Sequence, residues 1–170
     1  GRYLRDDEDR ADELLERAQE LIETALEQRR HADLLALADS VLGRRIAVSP
    51  FRAVWLGPAS LRYQDAALEM DPGNPRAVLE MARSRMYRPA AVGGDRDEAR
   101  RLLYRSIELH DSFAEPDTLI PEWGGPAEAH AFLALLERDE GNMAPAVRNA
   151  EKALELQPGY ALVRDEILPS

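Results

Sequence analysis

Apolar side chains return every three or four positions at Leu14, Leu15, Ala18, Leu21, Ile22, Ala25 and Leu26, with mostly Glu, Asp, Arg and Gln between them. That period lays an apolar stripe along a helix over residues 6–30. The opening run Asp6-Asp7-Glu8-Asp9 sets negative charge at the positive end of its dipole. A second helix is predicted over 32–43, ending at Gly43. The stretch 44–57 holds Pro50, Phe51, Trp55 and Gly57 without a helical period. It is expected to be irregular and packed down as core filling, with a pocket lined by Phe51 and Trp55 as the alternative. Pro58 fits the first turn of a helix running to 71. Asp71-Pro72-Gly73-Asn74-Pro75 reads as a turn in which Asn74 caps a helix that starts at Pro75. Further helices are predicted over 75–87, 95–110, 126–140 and 143–157, and a short last one over 160–168 stops before Pro169.

Three of these helices end alike, in Ala67-Leu68-Glu69-Met70-Asp71-Pro72, Ser106-Ile107-Glu108-Leu109-His110-Asp111 and Ala153-Leu154-Glu155-Leu156-Gln157-Pro158. A recurring ending marks a repeat array. In the last copy Gly141 supplies a left-handed turn, Ala146 and Ala153 let helix backbones approach, and Pro158 stops the helix. Gly141, Ala146, Ala153 and Pro158 keep the spacing of the second helix of a tetratricopeptide (TPR) repeat, and this chain resembles that family. His130, Leu133 and Ala134 fall on the first-helix positions, with His130 in place of the usual aromatic. The middle copy has Gly94, Ala99 and Ser106 in the second helix and Val78, Met81 and Ala82 in the first, while Asp111 replaces the closing Pro. The spacing from Ala67 to Ser106 is 39 residues and from Ser106 to Ala153 is 47, against a family repeat of about 34. Both surpluses fall in turns, where extra residues are tolerated at little expense. The resemblance covers 60–167 and is strongest over 126–158. It also extends to bacterial TPR-like proteins with a Gly-Gly-Asp turn and a Pro-x-Trp-Gly loop. Through them it points to a periplasmic or exported setting ahead of a cytoplasmic one.

The resemblance implies an all-α fold: a TPR-like right-handed helical solenoid of antiparallel helix pairs with terminal capping helices. All 170 residues would form one domain, with 1–59 as degenerate or non-repeat N-terminal helices and 60–168 as the repeats. Composition agrees with helices. Ala and Leu dominate, charged residues make up 32%, and there is no cysteine, which excludes disulfides and thiolate metal sites. The formal net charge of −10 argues against nonspecific binding to nucleic acid or anionic membrane. No run of apolar residues is long enough for a membrane span.

Catalytic chemistry finds little footing. His31, His110 and His130 lie on separate helices, and no HExxH or phosphate-loop motif is present. Gly93-Gly94-Asp95 reads as a turn with Asp95 as N-cap and Glu98 completing a capping-box-like arrangement. No enzyme, cofactor or metal is expected. The family register instead assigns a concave partner-binding face to Arg76, Leu79, Arg83 and Met86 of one repeat and Glu128, Ala131, Leu135 and Arg138 of the next. Three guanidiniums beside apolar side chains suit an acidic-hydrophobic peptide or the free C-terminus of a partner protein. Changing Arg76 and Arg83 to Glu is then expected to weaken binding and leave the fold intact. Two other readings stand beside this adaptor. One is a small-molecule-binding accessory subunit of a periplasmic uptake system, with a cavity formed by Trp55, Tyr87 and Trp123 near the 112–125 insertion. The other is an assembly component that forms homo-oligomers through residues 1–30.

Overall fold

A computed structural model describes residues 8–112 and 123–168, and these form helices joined by turns, without strands. The Asp6-Asp7 start of the first helix, most of the 112–125 insertion (with Pro116, Leu119, Ile120 and Pro121) and Pro169 lie outside the described residues. The helices are α1 (Glu8–Gln28), α2 (Ala32–Val48), α3 (Ala53–Met70), α4 (Pro75–Tyr87), α5 (Arg96–Ser112), α6 (Pro126–Asp139) and α7 (Met143–Leu156). Short 3-10 turns occupy Pro50–Arg52 and Ala90–Val92, and a π-type turn lies at Val163–Ile167, near the end of the described residues. The protein divides into two compact units, Gly1–Glu80 and Met81–Ser170. The division falls inside α4.

In the first unit α1 packs on α2 and α2 on α3. Ile22, Ala38 and Val41 are buried between the first two, and Leu15, Ala18, Leu26, Leu37 and Tyr63 pack against them. Of the predicted stripe of α1, Leu15, Ala18, Ile22 and Leu26 pack here, whereas Leu14 and Leu21 face solvent, 64% and 57% exposed. Two expectations for the following segment are corrected. α2 runs through Gly43 to Val48. One interior Gly costs only about 1 kcal/mol, and Arg45 ties the extra turn to α1 through Gln19 (2.7 Å) and Glu16 (3.1 Å). α3 starts at Ala53, which puts Pro58 inside the helix and not in its first turn.

Arg52, in the 3-10 turn, grips Asp12 of α1 through both carboxylate oxygens. That hydrogen-bonded guanidinium holds the Asp12 carboxyl below its ordinary value, overcoming the opposing cost of burial, with Arg45 adding to the effect. An unfolded Asp titrates near about 4. The pairing therefore stabilises the fold above that pH and is lost as pH falls through the depressed folded value. Asp12→Asn should be less stable than the native protein at pH 7, and the gap should close as pH drops below about 4. Urea unfolding at a series of pH values checks this; a gap independent of pH would refute it.

A buried polar knot joins α2 to the start of α4. Asn74 caps α4 as expected, its Oδ1 accepting from the amides of Arg76 and Ala77 (3.0 Å each). Its Nδ2 donates to Asp33 Oδ1 (2.8 Å), and Arg76 Nη1 donates to Asp33 Oδ2 (3.4 Å). Asp33 is fully buried and Arg76 only 2% exposed. His31 caps α2 by accepting from the Asp33 amide at Nδ1 (3.2 Å). A second buried polar group lies between α2 and α3, where Asp39 accepts from Ser60 and from Gln64 (3.1 Å).

In the second unit α5 packs against α6 and α6 against α7. α5 and α6 run antiparallel. Arg100, near the start of α5, bonds Glu137 (2.8 Å) and Glu140 at the end of α6, while His110 Nε2 meets the Gly124 carbonyl just before α6 (2.8 Å). Gly141 takes φ +82 between α6 and α7, as its left-handed role requires. Ala131, Ala134, Ala150 and Ala153 are wholly buried with Val163 and Ile167 of the last turn. The small side chains at the expected repeat positions thus lie in the helix contact.

Candidate functional site

Within the first unit a cleft of about 340 Å³ opens among α1, α2 and α3, lined by Gln19 and Glu23 of α1, Arg30 of the turn after it, Leu35 and Leu42 of α2, and Leu56, Ala59, Arg62, Tyr63 and Ala66 of α3. Its origin is local. α3 presents Leu56, Ala59, Tyr63 and Ala66 at spacings of three and four, so they share one face. Two of the four are alanines, which leave room where larger side chains would close the gap. Leu35 and Leu42 lie beneath the cleft and are 3% and 0% exposed, so the apolar floor a ligand can reach is that of the half-buried Leu56, Ala59 and Ala66. Polar groups gather around it. Tyr63 donates its hydroxyl to Glu23 (3.4 Å). Burial raises the Tyr63 pKa above its ordinary value, and the neighbouring Glu23 carboxylate raises it further, against the opposing effect of Arg62. Tyr63 therefore stays a neutral phenol near pH 7. Arg30 and Arg62 are exposed, and neither forms an ion pair with another described residue. An apolar floor with a hydroxyl and two available guanidiniums matches an amphipathic ligand carrying carboxylates.

The residues expected to form a concave binding face are placed differently. Arg76 is buried against Asp33, and Leu79 and Met86 are 0% and 5% exposed. Those three are core residues. Arg83 lies with its guanidinium 5.3 Å from the Phe132 ring centroid. Ala131 is wholly buried, and Leu135 packs against the C-terminal cluster. Arg138 donates to the Glu166 carbonyl (2.8 Å). Glu128 is half-buried on α6. The register placed these residues on the first helices of their pairs; it did not reveal that seven consecutive residues at the start of α4, Asn74 to Glu80, turn away from solvent.

Of the residues proposed for a pocket, Tyr87 is 61% exposed and meets Phe132 edge-on at 6.3 Å between centroids. Trp123 is half-buried. Trp55 is 62% exposed, beside Phe51 at 85% and Val54 at 79%. The expectation that 44–57 packs down as core is corrected here. Its helical conformation satisfies the backbone, and Phe51, Val54 and Trp55 face solvent at helical spacing. Glu98 also departs from the capping-box reading. Asp95 does cap α5 through the Glu98 amide (2.8 Å), but the Glu98 carboxylate pairs with Arg85 Nε (3.1 Å), and the Asp95 amide donates to the Arg85 carbonyl (2.9 Å).

The cleft residues Gln19, Glu23, Arg30, Arg62 and Tyr63 form no sequence motif. Three helices bring them together, and the one available signal was the alanine-rich face of α3. Among the described residues no group of three acidic or histidine side chains is placed to hold a metal ion, and no helix is long and apolar enough to cross a membrane.

No protein-family model matches the sequence, and no curated protein does. Among solved structures it is similar to the HusA haemophore from Porphyromonas gingivalis, at 29% identity and a TM-score of 0.65, over 76% of this protein and 65% of that one. The match thus spans less than two thirds of the length of the haemophore.

Proposed function

We propose that this protein is a noncatalytic binding protein that holds an amphipathic, carboxylate-bearing small molecule in the α1–α2–α3 cleft, with a tetrapyrrole as the ligand class to test first. The observation that carries the reading is the apolar floor of Leu56, Ala59 and Ala66 beside the neutral Tyr63 and the two available guanidiniums of Arg30 and Arg62. A porphyrin offers the complement, a flat apolar ring with carboxylates at one edge. The likeness to a haemophore supports that choice. The histidines do not line the cleft; His31 caps α2, and His130 Nδ1 bonds Asn149 Oδ1 of α7 (3.0 Å). With no histidine lining the cleft, recognition is expected to rest on ring and carboxylates, so metal-free and ferric protoporphyrin should bind alike.

Titration followed in the porphyrin absorption band tests this. One porphyrin per protein molecule is expected, and Arg30→Glu with Arg62→Glu should weaken it at least about tenfold, since each charge-assisted bond contributes on the order of 1.5–3 kcal/mol before solvent screening. Both residues are exposed, so the variant should remain folded. Unchanged affinity in the double variant, or a strict requirement for iron, would sink the reading.

A second reading keeps the TPR-like adaptor. It is supported by the Gly141 turn and the buried Ala146 and Ala153 of the α6–α7 pair, and by the solvent-facing Phe51, Val54 and Trp55 as apolar anchors for a protein. An exported or periplasmic location suits either reading and is tested by fractionation of the source cell.

A further inference from the structure

α1 carries a second apolar line that its packing leaves unused. Leu15, Ala18, Ile22 and Leu26 face the core of the first unit. About a quarter turn round the helix, Leu14 and Leu21 are 64% and 57% exposed. They are seven residues apart, so they stand in one row about 10 Å apart along the axis. Glu13, Glu20 and Glu27 form a parallel row at the same seven-residue spacing, and all three are exposed. Glu20 is engaged by Arg17 (2.8 Å), one turn back on the same helix. Glu13 and Glu27 form no ion pair with another described residue. Leu14 and Leu21 fill one of the two apolar positions of a heptad, and the Glu row takes the flanking position that pairs with charges of a partner helix.

We propose that this face of α1 docks a cationic amphipathic helix of another protein, with Leu14 and Leu21 as apolar anchors and the Glu13/Glu20/Glu27 row selecting Lys or Arg. The charge of α1 decides between occupants. Its 21 residues include eight acidic and only two basic side chains. A second copy, laid against the first in either direction, would bring two strongly negative helices together, and like charges at this range repel. An anionic lipid surface is repelled for the same reason. A basic helix is attracted and covers the leucines. This inference uses a different face of α1 from the cleft and stands or falls independently of ligand binding there.

The probes are two synthetic 21-residue helices with leucine at heptad spacing, the length of α1 itself, one flanked by Lys and the other by Glu. Fluorescence anisotropy at low and physiological salt reads their binding to the intact protein. The Lys helix should bind, weaken with salt, and lose at least about tenfold in affinity against Leu14→Asn with Leu21→Asn, a change that leaves every charge in place. Glu13→Lys with Glu20→Lys and Glu27→Lys should transfer preference to the Glu helix. Three results would overturn the proposal: equal affinity of the native and double-Asn proteins for the Lys helix, a native dimer that the double-Asn change dissolves, or binding to zwitterionic vesicles that the same change abolishes. Circular dichroism of each variant confirms that the fold persists.

Discussion

Arg76→Glu should unfold the first unit rather than weaken a ligand. Arg76 is 2% exposed and its Nη1 lies 3.4 Å from Oδ2 of Asp33, which is fully buried. The substitution removes the cation and sets a second carboxylate near the first, with Asn74 bonded to the same Asp33. Breaking a buried charge pair costs about 3–5 kcal/mol, and adding a like charge increases the cost. Two carboxylates so placed cannot both ionise, so one of them has its folded-state pKa raised. For a raised carboxyl the penalty is full above the raised folded value, shrinks as pH falls through it and the pair takes up a proton, and is gone below the unfolded value of about 4. Urea unfolding of the Arg76→Glu variant should therefore show a large loss at pH 7 that partly recovers near pH 4. Arg83→Glu makes the contrast. Arg83 is half-buried, with its guanidinium over the Phe132 ring, and its loss should cost about 1 kcal/mol. A stable Arg76→Glu variant would show that the buried pair does not hold α4 to α2.

Gly94→Ala should be nearly as damaging in the second unit, for a reason of space. A methyl group at Gly94 would sit 1.9 Å from the carbonyl oxygen of Arg88 and 2.7 Å from its carbon. Those are backbone atoms and cannot swing aside. The surrounding turn is closely specified: Gly94 donates its amide to the Pro89 carbonyl (3.1 Å), and Asp95 donates to Arg85 (2.9 Å). Relieving the clash breaks both bonds and separates α5 from its cap. The expected loss is about 3 kcal/mol, from backbone displacement together with a lost N-cap. The neighbouring Gly93 has φ +94; Gly93→Ala suffers mainly from that left-handed conformation, about 1–2 kcal/mol. Thermal melts of the two alanine variants should therefore rank Gly94→Ala well below Gly93→Ala, and the reverse order would refute the steric account.

The sequence made the helices legible and left their solvent exposure largely hidden. Gly141, Ala146 and Ala153 announced a close helix pair because each residue type has a strict local reason. Asn74 announced a cap for the same reason. Periodicity found Leu15, Ala18, Ile22 and Leu26 of the inward face of α1 and included with them Leu14 and Leu21, which face solvent. What failed were inferences about which side of a helix meets water when the neighbour is unknown. Arg76 and Glu80 look like surface residues by type, yet both are buried. Phe51 and Trp55 look like core by type and face solvent. Burial is a property of the assembled elements, and a charged residue goes inside when a distant partner such as Asp33 waits there. The cleft was illegible for a related reason, because three helices contribute to it and none carries its signature alone.

The alanine contact between α6 and α7 also has a kinetic consequence. Across the Gly141 turn α6 meets α7 at separations such as the 19 residues between His130 and Asn149, against 37 between Arg100 and Glu137 in the α5–α6 pair, and alanine surrenders no rotamer freedom when buried. Such local contacts form before distant ones, since little loop entropy must be lost first. The pairing of α5 with α6 must instead close the whole connection from Ser112 to Trp123. The C-terminal hairpin is therefore expected to form first in the second unit, and pulse-labelling of its amides during refolding checks this.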